Sequence, residues 1–306
     1  MSKPGKRAVT GMLLLDKPRG ITSNGALQQV KRLFRAQKAG HTGSLDPIAT
    51  GLLPLCLGEA TKISGFFLDA DKTYDTRLKL GETTDSGDAD GQITRRRPVS
   101  VTDAQIEAAA ERFRGEFDQV PPMFSAVKQA GTPLYKLARQ GIEVERAPRR
   151  VTVYRLDWRR ADAEHLDLAI ECSSGFYVRG LAHELGEALD CGAHVESLRR
   201  TAVGRLRIEN AVTLEELEQC APEERDRLLL PLDEALAHMP MVRINDVAAY
   251  YLCRGQAVRV PAGTPVGAVR IYGEQTGFLG IGETSGDGYV APKRLFHLVT
   301  SARPRD

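Results

Sequence analysis

Apolar and polar positions along this 306-residue chain follow two different periods. Near the N-terminus, residues 13–15 are an apolar run that reads as a short strand. Ser23 then stands where a helix cap belongs. Beyond it Leu27, Val30, Leu33 and Phe34 recur on one side of a helix, and Lys31, Arg32 and Arg35 occupy the other. From Tyr74 the period becomes two: Tyr74, Thr76, Leu78 and Leu80 alternate with Asp75, Arg77 and Lys79 as far as Gly81, which predicts a half-buried strand. Helical spacing returns over residues 102–114, closed by Gly115, and over residues 133–140, with proline in the first turn and Gly141 after the last. Strands are expected over 151–158 and 166–172 and a helix over 181–189, and Thr213-x-x-Glu216 is the capping box of another.

Strands and helices do not alternate one for one, so the pattern predicts an α+β fold on a mixed sheet and argues against a doubly wound parallel one. From about residue 240 the texture changes. A short helix over 245–253 gives way to brief β-rich runs punctuated by glycines, the pattern of a small barrel. Two domains are therefore expected, 1–239 and 240–306, which suits the length.

Composition, with 42% hydrophobic and 27% charged residues, is that of a globular protein. The longest apolar stretch, 48–58, is broken by Gly51 and Pro54 and falls short of the roughly 20 residues that span a bilayer, so no membrane partner is expected. The basic N-terminus is followed by only four apolar residues, too few for a signal-peptide core, and the expected location is the cytoplasm. Five cysteines without a Cys-x-x-Cys pair fit reduced thiols. Net charge is only +2, but its distribution is uneven: residues 1–40 hold nine Lys and Arg against Asp16 alone, and residues 136–160 hold eight against three acids. Such segregation fits either a phosphate-binding face or a solvated basic one.

Several apparent motifs fail on spacing. His183-Glu-Leu-Gly-Glu187 lacks the second histidine of a zinc-protease helix. His183, Cys191 and His194 have no spacing that fixes a metal, so none is expected. Asp85, Asp88 and Asp90 do not align with a calcium loop, and the region reads as a solvated acidic turn. No phosphate loop or dinucleotide fingerprint is present, and nucleotide cofactors are unsupported.

One segment, Gly40-His-Thr-Gly-Ser-Leu-Asp-Pro47-Ile-Ala-Thr-Gly-Leu-Leu-Pro-Leu-Cys-Leu-Gly-Glu-Ala-Thr-Lys62, packs glycines, a histidine and an aspartate ahead of an apolar run. On its residues alone it is a loop, with Asp46 a turn former before proline. It also resembles the signature of the TruB-type pseudouridine synthases. The likeness extends to Leu15-Asp-Lys-Pro, to Lys72-x-Tyr74 and to Thr84-Asp-x-x-Asp88-x-Asp-Gly91. It continues through Gln119-x-Pro-Pro, Tyr135-x-x-Ala-Arg, Cys172-Ser-x-Gly-x-Tyr177-Val-Arg179 and Cys191-Gly-Ala-His194-x-x-x-Leu198-Arg-Arg, so it covers residues 11–205. Ser44 stands where many relatives carry Thr or Ala.

The resemblance implies an isomerase that converts uridine 55 in the T-loop of tRNA to pseudouridine. Its fold would be a pseudouridine synthase sheet, central, mixed and largely antiparallel, followed by a PUA-type RNA-binding domain. The reaction breaks the N1–C1′ bond of uridine and rejoins the base through C5, so no cofactor is expected. A carboxylate suits the nucleophile's part, which the family gives to Asp46; attack at C1′, addition to C6 and passage through a glycal all fit. By the same likeness Arg179 pairs with Asp46, and Tyr74 stacks on the base and handles a proton. Tyr177 and Leu198 line the uridine pocket, Lys62 approaches the active site, and His41 fills the gap left by the flipped base. Each has a plainer structural explanation on its residues: core for Tyr74, Tyr177 and Leu198, a backbone-bonded loop histidine for His41, a surface charge for Arg179. The expected partner is the T-arm stem-loop of tRNA, and the expected state a monomer, since no heptad or apolar stripe is visible. Alternatives are a guide-RNA-dependent, dyskerin-like synthase, or a tRNA-binding or tRNA-folding protein whose catalysis is dispensable. A glycoside hydrolase would need a second placed carboxylate, and Glu59 is the only other one in the segment.

Overall fold

The leucines after Gly51 form a strand at the centre of the molecule. In the computed structural model, which describes residues 5–129 and 131–296, β1 (Gly11–Lys17) leads into α1 (Ser23–Leu33), β2 (Ala39–His41) and β3 (Thr50–Leu57). β1 and β3 pair antiparallel from Gly11 against Leu57 to Lys17 against Gly51. Their alternation sends Leu13, Leu15, Leu53, Leu55 and Leu57 into one core and Met12, Leu14, Leu52 and Cys56 into a second. A strand covered on both faces reads as an unbroken apolar run. With Gly51 and Pro54 as apparent breakers, β3 was therefore invisible as a strand in the sequence.

The main sheet runs Val212–Thr213, β1, β3, Ala193–Val203, β4 (Lys72–Leu80), His165–Cys172, Arg149–Arg160, Gly115–Gln119. Two of these pairings are parallel, β1 with Val212–Thr213 and β3 with Ala193–Val203; the rest are antiparallel, as the α+β expectation requires. Ala193–Val203 is a second central strand without a clean signal, because Glu196, Arg199 and Arg200 interrupt its apolar positions. It crosses β3 closely: a Cβ on Gly51, whose φ is +100°, would lie 2.3 Å from the carbonyl oxygen of Arg200. Only glycine serves there. Helix Val178–Ala188 buries Val178, Leu181, Ala182 and Leu185 against this core.

The cap of α1 is Thr22, whose hydroxyl accepts the Gly25 amide at 3.0 Å. Ser23, expected in that place, is the first helical residue, and its hydroxyl has other work at the site. The helix expected over 102–114 is Asp103–Glu111 with Thr102 and Gln105 forming a capping box, and the Thr213–Glu216 box also forms.

A second, curled sheet of five strands is ordered Met241–Ile244, Gly267–Gly273, Gly277–Thr284, Tyr289–Leu295, Val258–Arg259. Helix Asp246–Leu252, capped by Asn245, packs into its core with Val242, Ile244 and Ile271. Ile281 and Phe296 join Met12, Leu14 and Leu52, so this sheet leans on the back of the first. Residues 1–4 and 297–306, the outer ends of the two expected domains, lie outside the described residues. No described helix is long and apolar enough to cross a membrane.

Candidate active site

Asp46 lies in the loop between β2 and β3, and the loop is pinned on both sides of it. The Ser23 hydroxyl accepts the Leu45 amide at 2.7 Å and donates to the Leu45 carbonyl at 3.0 Å. The Pro47 carbonyl accepts from Gly20 at 2.8 Å, and the Asp46 carbonyl from Ala49 at 3.1 Å. A turn is present, as Asp before Pro suggested, but the backbone makes it. The carboxylate is left to meet Arg179, with Nη2 2.9 Å from Oδ2.

Arg179 is 6% exposed and the Asp46 side chain 41%, so the guanidinium is fixed inside the protein and the carboxylate reaches toward its surface. Arg179 donates from Nη1 to the Ser86 carbonyl at 2.8 Å and from Nη2 to the Phe124 carbonyl at 2.6 Å. Its Nε lies 3.7 Å from Oδ2 of Asp88. Asp88 is buried and held by the Ser86 hydroxyl at 2.6 Å and the Asp90 amide at 3.2 Å. The segment read as a solvated acidic turn is thus half of an arginine cradle; spacing alone could reject calcium but had no means to show that one of its three aspartates turns inward. The Arg179 helix is placed by Gln119, 1% exposed, which accepts the Tyr177 amide at 2.8 Å and donates to the Tyr177 carbonyl at 3.1 Å. Burial pushes the Asp46 carboxyl above the usual carboxylate range; Arg179 and Lys17 pull it back and Asp88 adds to the rise.

Tyr74 is on β4, opposite Ile170 on one neighbouring strand and Arg200 on the other. Burial raises its phenol above the ordinary value; the Arg200 guanidinium nearby opposes this, and Cys172 and Asp46 add to it. The hydroxyl therefore stays protonated at neutral pH. Arg200, 1% exposed, donates to the carbonyls of Leu52 at 2.8 Å, Gly43 at 3.2 Å and Ser44 at 3.5 Å. Lys17, fully buried, donates to the carbonyls of Pro18 and Ile21 at 2.8 Å each, and burial lowers it to about 8. Burial and the Arg200 charge lower His41, keeping its imidazole neutral, and its buried Nδ1 has no partner among the described residues. The backbone-bonded loop histidine is not what the fold provides at that atom.

Leu198 is buried opposite Thr76 and lines, with Ile48, Thr50 and Thr76, a groove of about 630 Å³. Tyr177 is half-buried at the start of the Arg179 helix. Lys62 is not brought to this cluster. Its ammonium binds Glu59 at 2.5 Å and the Leu295 carbonyl at 3.0 Å and lies over the Phe296 ring, at the junction with the second sheet. The 3-10 turn Gly58–Ile63 after β3 directs it there.

The second basic stretch is in good part neutralised: Arg150 pairs with Glu116 and Asp118, Arg155 with Asp157, Arg159 with Asp167 and Arg160 with Asp103. Lys136, Arg139 and Arg149 are exposed and have no acid partner among the described residues. What sequence reasoning missed at the site is Asp88, Gln119 and Arg200. All three fall inside segments of the resemblance, and their buried polar character is a property of the fold.

A partly exposed carboxylate, a buried guanidinium behind it and a protonated tyrosine nearby can form and release a bond to a sugar carbon. Comparison with known proteins gives the family. Residues 31–178 match the model of the TruB family pseudouridylate synthase N-terminal domain, 179–237 that of the tRNA pseudouridylate synthase B C-terminal domain, and 240–296 that of the pseudouridine synthase II TruB C-terminal region. Curated relatives include tRNA pseudouridine synthase B of Ectopseudomonas mendocina (strain ymp), 51% identical with 95% of this chain and 97% of the relative covered. That of Pseudomonas aeruginosa (strain UCBPP-PA14) is 50% identical with the same coverage. Among solved structures, the Cbf5-Nop10-Gar1 complex contains a chain that superposes with TM-score 0.68 at 28% identity, covering 90% of this chain and 78% of that one. The chain belongs to the TruB family of pseudouridylate synthases and is an isomerase.

Proposed function

We propose that this chain is a tRNA pseudouridine synthase that isomerises uridine 55 of the T-loop, with Asp46 as the nucleophile. The observation that carries the reading is the 2.9 Å pair of Asp46 with Arg179, whose guanidinium two backbone carbonyls and Asp88 hold in place. The names of relatives sharing half their residues over 95% of the chain support the tRNA substrate.

The N1–C1′ bond breaks with its electron pair going to the uracil, and the Asp46 carboxylate takes up the ribosyl carbon. The base turns and C5 bonds to C1′, returning the carboxylate; the proton on C5 leaves to solvent or a nearby base, and N1, no longer bonded to the sugar, takes up a proton in its place. Atoms balance without redox equivalent, cofactor or metal. Arg179 aims the carboxylate and opposes the effect of burial on its ionisation. Tyr74 offers its ring to the loose base, with its hydroxyl protonated. The flipped nucleotide leaves a gap whose filling offsets a cost of a few kcal/mol, and His41, neutral and with an unpartnered Nδ1, suits that place. Tyr177 and Leu198 bound the pocket; Lys62 has no part in it.

The same reading divides the chain at 239/240 and gives the second sheet to RNA. Arg254 stacks on the exposed Tyr250 at 3.4 Å, and Arg259 lies 6.0 Å from the ring centre of exposed Tyr289. Aromatic faces paired with arginine suit bases and phosphates. The enzyme acts as a monomer in the cytoplasm.

Single-turnover tritium release from C5-labelled uridine in a tRNA transcript tests the reading. Release by the unaltered protein alone, lost in Asp46→Asn while the transcript still binds, is the expected result. Binding without release would sink it and favour a guide-dependent or purely tRNA-folding role.

A further inference from the structure

Arg200 is among the largest fully buried side chains of the molecule, yet it touches no cleft and its partners carry no full negative charge. Burying a guanidinium among neutral groups is costly, and the contacts show what the cost secures. The carbonyls of Gly43 and Ser44 precede Asp46 in its loop; that of Leu52 follows it in β3. The other neighbour is Tyr74, directly opposite Arg200 on the adjoining strand. One planar fork, on the residue opposite the tyrosine, therefore spans the two ends of the nucleophile loop. Its own backbone is locked as well, since Arg200 pairs in parallel with Gly51 and a side chain at Gly51 would strike it.

We propose that Arg200 is a positioning residue for the isomerisation: without touching the nucleotide, it sets the distance between Asp46 and Tyr74 by holding the loop's carbonyls on a guanidinium that extends from the residue directly opposite Tyr74. The inference rests on the reading of Asp46 as the nucleophile. Arginine suits the place because its donors lie in a rigid plane; lysine offers the charge without the fork. A displacement of about 1 Å between reacting groups is enough to cost roughly 100-fold in rate.

The test compares Arg200→Lys, Arg200→Met and Asp46→Asn by single-turnover tritium release, transcript binding and thermal unfolding. The expected result is that Arg200→Met lowers the single-turnover rate about 100-fold while binding changes little. Arg200→Lys should restore stability but recover only part of the rate. A double substitution, Arg200→Lys with Tyr74→Phe, should lose less than the product of the two single losses, because directly opposed residues couple. Full activity in folded Arg200→Lys would overturn the proposal, as would a loss in Arg200→Met that vanishes once the temperature is lowered until the variant is fully folded. If Arg200→Met does not fold at all, the lysine variant and the double substitution decide. Turnover by Asp46→Asn would instead sink the nucleophile reading itself, whatever the arginine variants do.

Discussion

On the proposed reading Asp46 must be both enclosed enough to react and charged enough to be a nucleophile, and its neighbours divide those demands. Burial lifts its pKa, and Arg179 is the largest influence in the other direction. Replacing Arg179 with Met should therefore raise the Asp46 pKa further, so that the variant retains a smaller fraction of wild-type rate at about pH 6 than at about pH 8. Single-turnover rates across that range check this, and a ratio independent of pH would mean that Arg179 acts through geometry alone. The same shift has a consequence for stability. A carboxyl whose folded pKa lies above its unfolded value binds its proton more tightly when folded, so its contribution to stability is complete below the unfolded pKa and is lost as pH rises through the folded one. At neutral pH the ionised group is a burden on the fold. Asp46→Asn should accordingly melt at the same temperature as the unaltered protein or higher at about pH 7, with the gap closing toward about pH 4. Calorimetry at the two pH values gives the answer, and a clear loss of melting temperature at neutral pH would contradict it. Sequence placed Asp46, Arg179 and Tyr74 through resemblance; it had no way to show that Asp88 or Arg200 is buried, because a charged residue's burial depends on partners far along the chain.

At the scale of elements, the features that were legible were those with a local cause. Alternation over 74–80 found β4, helical spacing closed by Gly115 found the helix after Thr102, and threonine followed three residues later by Glu found the start at Thr213. β3 and Ala193–Val203 were not legible, because one is buried on both faces and the other carries arginines whose partners belong to neighbouring elements. Their crossing is what the glycine in the signature serves. Gly51 and Gly175 both have left-handed φ, +100° and +82°, but a Cβ on Gly175 meets nothing within 4 Å whereas one on Gly51 meets the Arg200 backbone. Alanine at Gly175 should cost about 1 kcal/mol, the strain of its backbone alone. Alanine at Gly51 adds a clash with a strand that cannot move without shifting Asp46, and should cost at least about 2 kcal/mol more. Urea unfolding of the two variants measures the difference; equal losses would mean that β3 and Ala193–Val203 have more room than the structure gives them.

The whole molecule must present an RNA polyanion with positive charge near the site, and the net charge of +2 leaves little to spare. Sequence segregation suggested two basic surfaces, and the fold neutralises much of the second. Four arginines of Arg149–Arg160 meet carboxylates: Arg150 pairs with Glu116, Arg155 with Asp157, Arg159 shares Asp167 with Arg77, and Arg160 reaches Asp103. Exposed pairs of this kind add little stability, yet they cancel the field a phosphate would feel. On α1 and just after it, Arg32 and Arg35 are exposed, and the start of that helix, at Ser23, is the point that holds Leu45 beside Asp46. Binding of a tRNA transcript should therefore weaken with salt through the α1 face. Each phosphate contact removed lowers the slope of log affinity against log salt by about one unit. Arg32→Ala combined with Arg35→Ala should flatten the slope by about one to two units and leave the single-turnover rate at saturating enzyme unchanged, because neither side chain is at the site. Arg155→Ala combined with Arg159→Ala should leave the slope nearly as it was. The reverse ranking, with the strand arginines dominating the salt dependence, would mean that their ion pairs open to receive the backbone, and that the second basic stretch of the sequence is an RNA face after all.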